Sequence, residues 1–439
     1  MVHVSKEKES VTIHKLRNTS MLALWFVAIV FPLMGQSTYS VEPSASTLVL
    51  TQGPVEPEAE GLLIAALHFS GASTVRSEAA MQVGLDAIAT ARLLEESFPD
   101  PYERGARVLD LVHRLIKRYD LLESRIDNAL LEGRFNCVGS SSLYAILARA
   151  AGLSVRGVIL PDHAYCYLVL GGRRVDVETT SAGGYDRPQD ERYAGERSVV
   201  HSVDVSLRGI IALALRNRAT LLERSGRWSD ALALAVDAFT YAPDKLTRDT
   251  LDGRVHNAVA TLIGSKRYDE AQALAEAALS RYGDSQVMVS SLDAARLASL
   301  TEALRTASPL DALQIADRVA ESGLADAEWL ERAYAFAYAR IAEDRRKSGD
   351  HLGAWSMLSE ASSRFVHSDA LASLERVARS NWLRSEHNRF VTLYNAGKYT
   401  EALASVRQAL KIMPDERLLL DDAIAAEAAR EATLPSAIP

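Results

Sequence analysis

Gly133-Arg-Phe-Asn-Cys-Val-Gly-Ser-Ser-Ser-Leu-Tyr-Ala-Ile-Leu-Ala-Arg-Ala-Ala-Gly-Leu153 is the stretch from which the rest of the chain can be read. Its spacing predicts a helix that opens at Cys137 and runs to about Ala151, with Leu143, Leu147 and Ala151 on one stripe and Gly152 as the stop. A cysteine in the first turn of a helix holds its sulfur near unpaired backbone N–H groups and the positive end of the helix dipole. Both favour the thiolate, which is the nucleophilic form. A single cysteine on an apolar helix is more often a small buried hydrophobe, so its meaning depends on the residues downstream of it.

Beyond the helix, residues 155–160 read as a strand, Pro161-Asp162 interrupts, residues 163–170 read as a second strand, and Gly171-Gly172 makes a hairpin turn into a third at 174–180. His163 opens the middle strand, and Asp176 and Glu178 fall on one face of its partner by strand alternation. A thiol nucleophile needs a base, and the base needs a third group to orient it. Cys137, His163 and either Glu178 or Asp176 are therefore the candidate catalytic residues. Cys166 stands three positions after His163, on the opposite strand face, and reads as a packing residue that parity keeps from a disulfide with Cys137. Upstream, helices are expected over 61–71, 76–96 and 102–118, with a short one at 121–131; Pro99 and Pro101 separate the second from the third.

This order of elements resembles the transglutaminase-like superfamily, whose papain-like core runs from a cysteine at a helix N-terminus to a histidine on a strand and an acid on the next. The resemblance covers roughly residues 75–190. It rests on Asn136-Cys137-Val-Gly-Ser-Ser-Ser-Leu-Tyr144, on Leu160-Pro-Asp-His163, and on Val177-Glu-Thr-Thr180 followed by Gly183-Gly184. These segments are similar to a bacterial branch in which such a domain precedes tetratricopeptide repeats. The resemblance implies Cys137 as nucleophile, His163 as general base and Glu178 as the third member, matching the Glu-Thr-Thr form of that branch; Asp176 would match the more usual aspartate. Ala164 stands where an aromatic residue often follows the histidine, with Tyr165 next. Acyl transfer at an amide is the implied chemistry, by a peptidase or a transamidase, and the superfamily also contains catalytically inactive binders. No cofactor or metal is implied.

From about residue 206 the chain turns Ala-rich and repeats itself. Gly226-Arg-Trp228, Lys266-Arg-Tyr268 and Gly397-Lys-Tyr399 are each followed at +3, +7, +10 and +15 by small or turn residues: Ala231, Ala235, Ala238 and Pro243 in the first copy, Ala271, Ala275, Ala278 and Gly283 in the second, and Ala402, Val406, Ala409 and Pro414 in the third. Weaker copies begin at Pro309 and His351. Small residues at fixed positions let paired helices approach closely, and the pattern resembles tetratricopeptide repeats with longer helices or loops. The expectation is an all-α solenoid over 206–439 whose concave surface takes a protein or peptide partner. The remaining histidines at 201, 256, 351, 367 and 387 lack partner spacing.

The N-terminus completes the plan. Lys6, Lys8, Lys15 and Arg17 precede a 14-residue apolar run, Met21 to Met34, and then Gly35-Gln-Ser37. That run is short for a membrane span and fits a signal peptide over 1–37, or a signal anchor giving membrane association through residues 21–34. The expected location is export, into the periplasm or facing it. Residues 38–60 read as a linker, and 61–205 as the α+β cysteine domain. The chain has 439 residues, 48% hydrophobic and 24% charged, with a formal net charge of -8. That is globular composition with no basic run, so nucleic acid is not an expected partner. The runner-up to a thiol enzyme is an inactive adaptor scaffolding an envelope complex.

Overall fold

The computed structural model describes residues 38–187, 202–283 and 285–433. The signal-like segment lies outside them. Among the described residues no helix is long and apolar enough to cross a membrane.

The first helix, α1 (Ala45–Thr51), falls where a linker is expected. Ser44 caps it, and the Ser44 N–H donates to Asp237 Oδ1 at 2.8 Å. Val41 is buried, Glu42 pairs with Arg281 at 2.7 Å, and the Tyr282 hydroxyl donates to the Val41 carbonyl at 2.6 Å. Residues 39–51 are thus a strap docked on the helical half. Composition alone reads Ser, Thr and Pro as a linker because the partners of this segment lie some 190 or more residues away.

Helices α2 (Ala59–Ser70), α3 (Thr74–Ser97), α4 (Pro101–Leu115) and α5 (Ile126–Glu132) follow. Pro101 occupies the first turn of α4, where its missing N–H leaves no intrahelical bond unmade, behind an Asp100 cap. The helix expected over 102–118 ends at Leu115, because residues 118–119 form β1 (Arg118–Tyr119), paired in parallel with β2 (Arg134–Phe135); the short helix expected over 121–131 begins at Ile126.

Helix α6 (Cys137–Ala150) is the central pillar. A one-stripe pattern leads one to expect a helix with one apolar face, but every residue from Cys137 to Ala148 is buried. Helices α2, α3, α4 and α5 surround it, together with a four-stranded antiparallel sheet. The sheet runs β5 (Arg173–Val177), β4 (Ala164–Leu170), β3 (Val155–Ile159), β6 (Val203–Val205). Gly171 and Gly172, at φ 57° and 82°, form the tight turn of the β4–β5 hairpin, a conformation glycine adopts without strain. Cys166, Leu168, Val175 and Val177 point into the α6 core, while Val158, Leu160, Tyr165 and Tyr167 cluster apart from it. Strand β6 has no counterpart among the expected elements; at three residues it carries no readable alternation.

Eleven helices follow among the described residues: α7 (Leu207–Arg224), α8 (Trp228–Tyr241), α9 (Lys245–Gly264), α10 (Tyr268–Tyr282), α11 (Gln286–Thr306), α12 (Pro309–Ser322), α13 (Ala327–Lys347), α14 (His351–Arg364), α15 (Asp369–Asn395), α16 (Tyr399–Leu410) and α17 (Arg417–Thr433). Each packs on the next in sequence, and second neighbours such as α9 with α11 and α15 with α17 also touch. This is the nearest-neighbour pattern of a stacked helical array. All five repeat anchors, Trp228, Tyr268, Pro309, His351 and Tyr399, are first residues of helices. The small residues at +3, +7 and +10 are buried in every copy, from Ala231 to Ala409. The division expected at residue 205 is not a division of the core. Ile210, Ile211, Leu213 and Leu215 of α7, with Ala238 and Tyr241 of α8, belong to the same apolar cluster as α6 and the sheet.

Candidate active site

Asn136 shapes the mouth of α6. Its side-chain oxygen accepts from the Val138 and Gly139 N–H groups at 3.0 and 3.1 Å, and its amide donates to the Leu121 carbonyl at 3.1 Å. This cap satisfies two of the first-turn amides and fixes Cys137 as the first helical residue, 8% exposed. The amide of Ser140 bonds to the Asn136 carbonyl. The Cys137 N–H is the first-turn amide with no acceptor among the described residues.

His163 sits immediately before β4, its carbonyl accepting from the Leu160 N–H at 2.8 Å. Its Nε2 lies 2.7 Å from Glu178 Oε2, and it lines the same cleft as Cys137, near enough for the thiol to shift its proton affinity. Burial pulls the imidazole toward the neutral form. Hydrogen bonds to Cys137 and Glu178, with the charges of both, outweigh it and raise His163 to about 9. Glu178 is 1% exposed. Burial pushes its carboxyl up, but the bond and charge of His163 and the two donors of Thr180 hold it below the usual carboxylate range. The pairing favours the charged form of each partner.

Sheet register decides between the two acids. Tyr167 faces Asp176 and Cys166 faces Val177, so Asp176 is four strand positions from His163, roughly 13 Å along the sheet. Arg174 Nε holds the Asp176 carboxylate at 2.7 Å, and the same guanidinium lies 4.1 Å from the centre of the Tyr167 ring. Strand β5 ends at Val177, and the chain folds back through residues 178–184, which frees Glu178 to turn toward the histidine. The shared-face argument that put both acids within reach holds only while the strand continues.

The fold-back is held by residues that sequence reasoning quoted without a role. Glu178 Oε1 accepts from the Thr180 amide at 3.0 Å and the Thr180 hydroxyl at 2.5 Å. The Thr179 hydroxyl lies 2.9 and 3.0 Å from those of Ser140 and Ser141. The Thr179 carbonyl accepts from His113 Nε2 at 3.1 Å. Gly184 lets the loop close, since a Cβ there would stand 2.0 Å from the Glu178 carbonyl oxygen. The Ser-Ser-Ser of α6 and the Thr-Thr after Glu178 are therefore one network split by about forty residues. Two hydroxyl-rich clusters, one beside the thiol and one beside the acid, were the available signal, but only the fold pairs them. His113, in the last turn of α4, gave no signal.

Cys166 is fully buried, its thiol donating to the Ser141 carbonyl at 3.5 Å, and burial pushes it up to about 12. Both cysteines are free thiols, in contrasting settings. Cys137 opens onto a cleft of about 420 Å³, within the range of ligand sites. The N-terminus of α6, Leu121 and Leu122, and the 159–164 segment line one side. Leu213, Arg216, Asn217, Thr220, Leu221 and Arg224 of α7 line the other. No family model, no curated protein and no solved structure matches the chain.

Proposed function

We propose that this protein is an exported thiol acyl-transfer enzyme of transglutaminase-like type, acting on an amide of a peptide or protein as a peptidase or transamidase. The helical array presents its partner or substrate. One observation carries the reading: a thiol at a helix mouth and an imidazole bonded to a buried carboxylate line the same open cleft. Buried, mutually perturbed titratable groups in a cleft are the usual mark of a reacting site.

In this reaction the Cys137 sulfur attacks the amide carbon and a tetrahedral oxyanion forms. The unpaired Cys137 N–H is the donor placed to receive it. The His163 imidazolium gives its proton to the departing amine, leaving a thioester on Cys137. Water, or a second amine, then attacks that thioester while His163 takes back a proton. Glu178 holds the ring and balances its charge throughout.

The test is differential alkylation. Iodoacetamide should modify Cys137 at least about a hundredfold faster than Cys166, whose thiol is fully buried and near 12. Cys137→Ala should abolish labelling and any amide turnover. Slow, equal labelling of the two thiols overturns the enzyme reading and leaves an adaptor.

A further inference from the structure

The α7 residues that line the cleft include two arginines, Arg216 and Arg224. Arg216 lies half-buried on α7 among the lining residues, and neither its guanidinium nor that of Arg224 has a hydrogen-bond or ion-pair partner among the described residues. The neighbouring Arg254 does have partners, Glu223 at 3.0 Å and the Thr220 hydroxyl at 3.1 Å. Its charge is balanced in place, while burial and Arg254 hold Arg216 below the usual arginine range. Asp162 is the one described carboxylate lining the cleft. It is exposed and forms no ion pair with either arginine. A chain of net charge -8 thus places two arginines without an ion-pair partner among the described residues at one cleft.

A partly desolvated guanidinium without a counter-ion is unfavourable, and the penalty is relieved when an oxyanion enters. Arginine presents a planar fork of donors matched to a carboxylate. We infer that Arg216 is a specificity-determining residue that selects acyl donors carrying a carboxylate next to the amide that Cys137 attacks. The carboxylate comes either from an acidic side chain or from a free peptide C-terminus. This rests on the acyl-transfer reading of Cys137. Arg224, exposed at the rim, adds attraction at longer range.

The full chain tests it through two alkylating reagents of nearly equal size. Iodoacetate carries a carboxylate and iodoacetamide does not; in each case sulfur displaces iodide. Arg216→Gln should slow iodoacetate at Cys137 about tenfold and leave iodoacetamide within twofold, with Arg216→Lys in between. Unchanged melting of Arg216→Gln excludes a folding defect, and Arg224→Gln should lower the iodoacetate rate only at low salt. An iodoacetate to iodoacetamide ratio that is the same in wild type and Arg216→Gln overturns the inference while leaving the thiol chemistry intact. A Cys137 inert to both reagents removes the acyl-transfer reading itself. The source of the carboxylate is read from protection against iodoacetamide. N-acetyl-glutamate amide carries only the side-chain acid, N-acetyl-glutamine only the main-chain acid, and N-acetyl-glutamine amide neither. The better protector names the source, and equal protection, or none, by all three overturns the inference.

Discussion

Around α6 the buried polar side chains converge, whereas along the helical array they are spread out. Asn136, Ser140, Ser141 and Thr179 form one hydrogen-bonded cluster and His163 with Glu178 the adjoining pair, none of the six more than 9% exposed. In the array several buried polar groups instead tie a helix to its second neighbour. Asp252 on α9 accepts from the Ser285 hydroxyl before α11 at 2.6 Å. Ser368 donates to Glu331 across α13 and α15 at 2.8 Å, and His387 meets Asp422 across α15 and α17 at 2.9 Å. Burying polar groups is unfavourable everywhere. Dispersed pairs set the stacking of neighbours, while a concentrated network shifts proton affinities and makes a reacting centre.

Acidity separates the two regions most strongly. An imidazole raised from 6.5 to about 9 contributes stability that is complete below pH 6.5 and is lost as pH rises through about 9. Wild type should therefore lose up to roughly 3 kcal/mol between pH 6 and pH 10 that His163→Gln does not lose. Urea unfolding at the two pH values measures it, and parallel curves for the two proteins would break the contrast. Overpacking is next. Ala316→Leu, in a fully buried array position, should cost about 1–3 kcal/mol of stability and leave Cys137 alkylation within twofold; a larger change in alkylation would mean the halves are coupled.

Within the patch, Glu178→Gln removes a charge that raises His163, so Cys137 labelling should fall about fivefold near pH 9, where a one-unit drop in the histidine removes most of its imidazolium. Thr180→Val removes one of the donors on Glu178 and should cost a few-fold, in line with a single hydrogen bond. Asp176→Asn should change labelling less than twofold, because its carboxylate serves Arg174 on the sheet. If Asp176→Asn proved as damaging as Glu178→Gln, the network would extend across the sheet.

Local information in the chain was enough for the periodic elements. Hydrophobic spacing, the break at Pro99 and Pro101 and the five repeat anchors place most helices within a few residues, and the helix expected to open at Cys137 and stop at Gly152 is α6. These are contacts between residues a few positions apart, where geometry follows from helix and strand period. Three features needed the folded molecule: the fold-back that turns Glu178 to His163, the strap of residues 39–51 across the array, and α7 as a wall of the cleft. Each joins residues separated by tens to hundreds of positions, through a strand ending or a docked surface. No local period encodes such a meeting, because it is set by how the elements pack and not by the residues of any one of them.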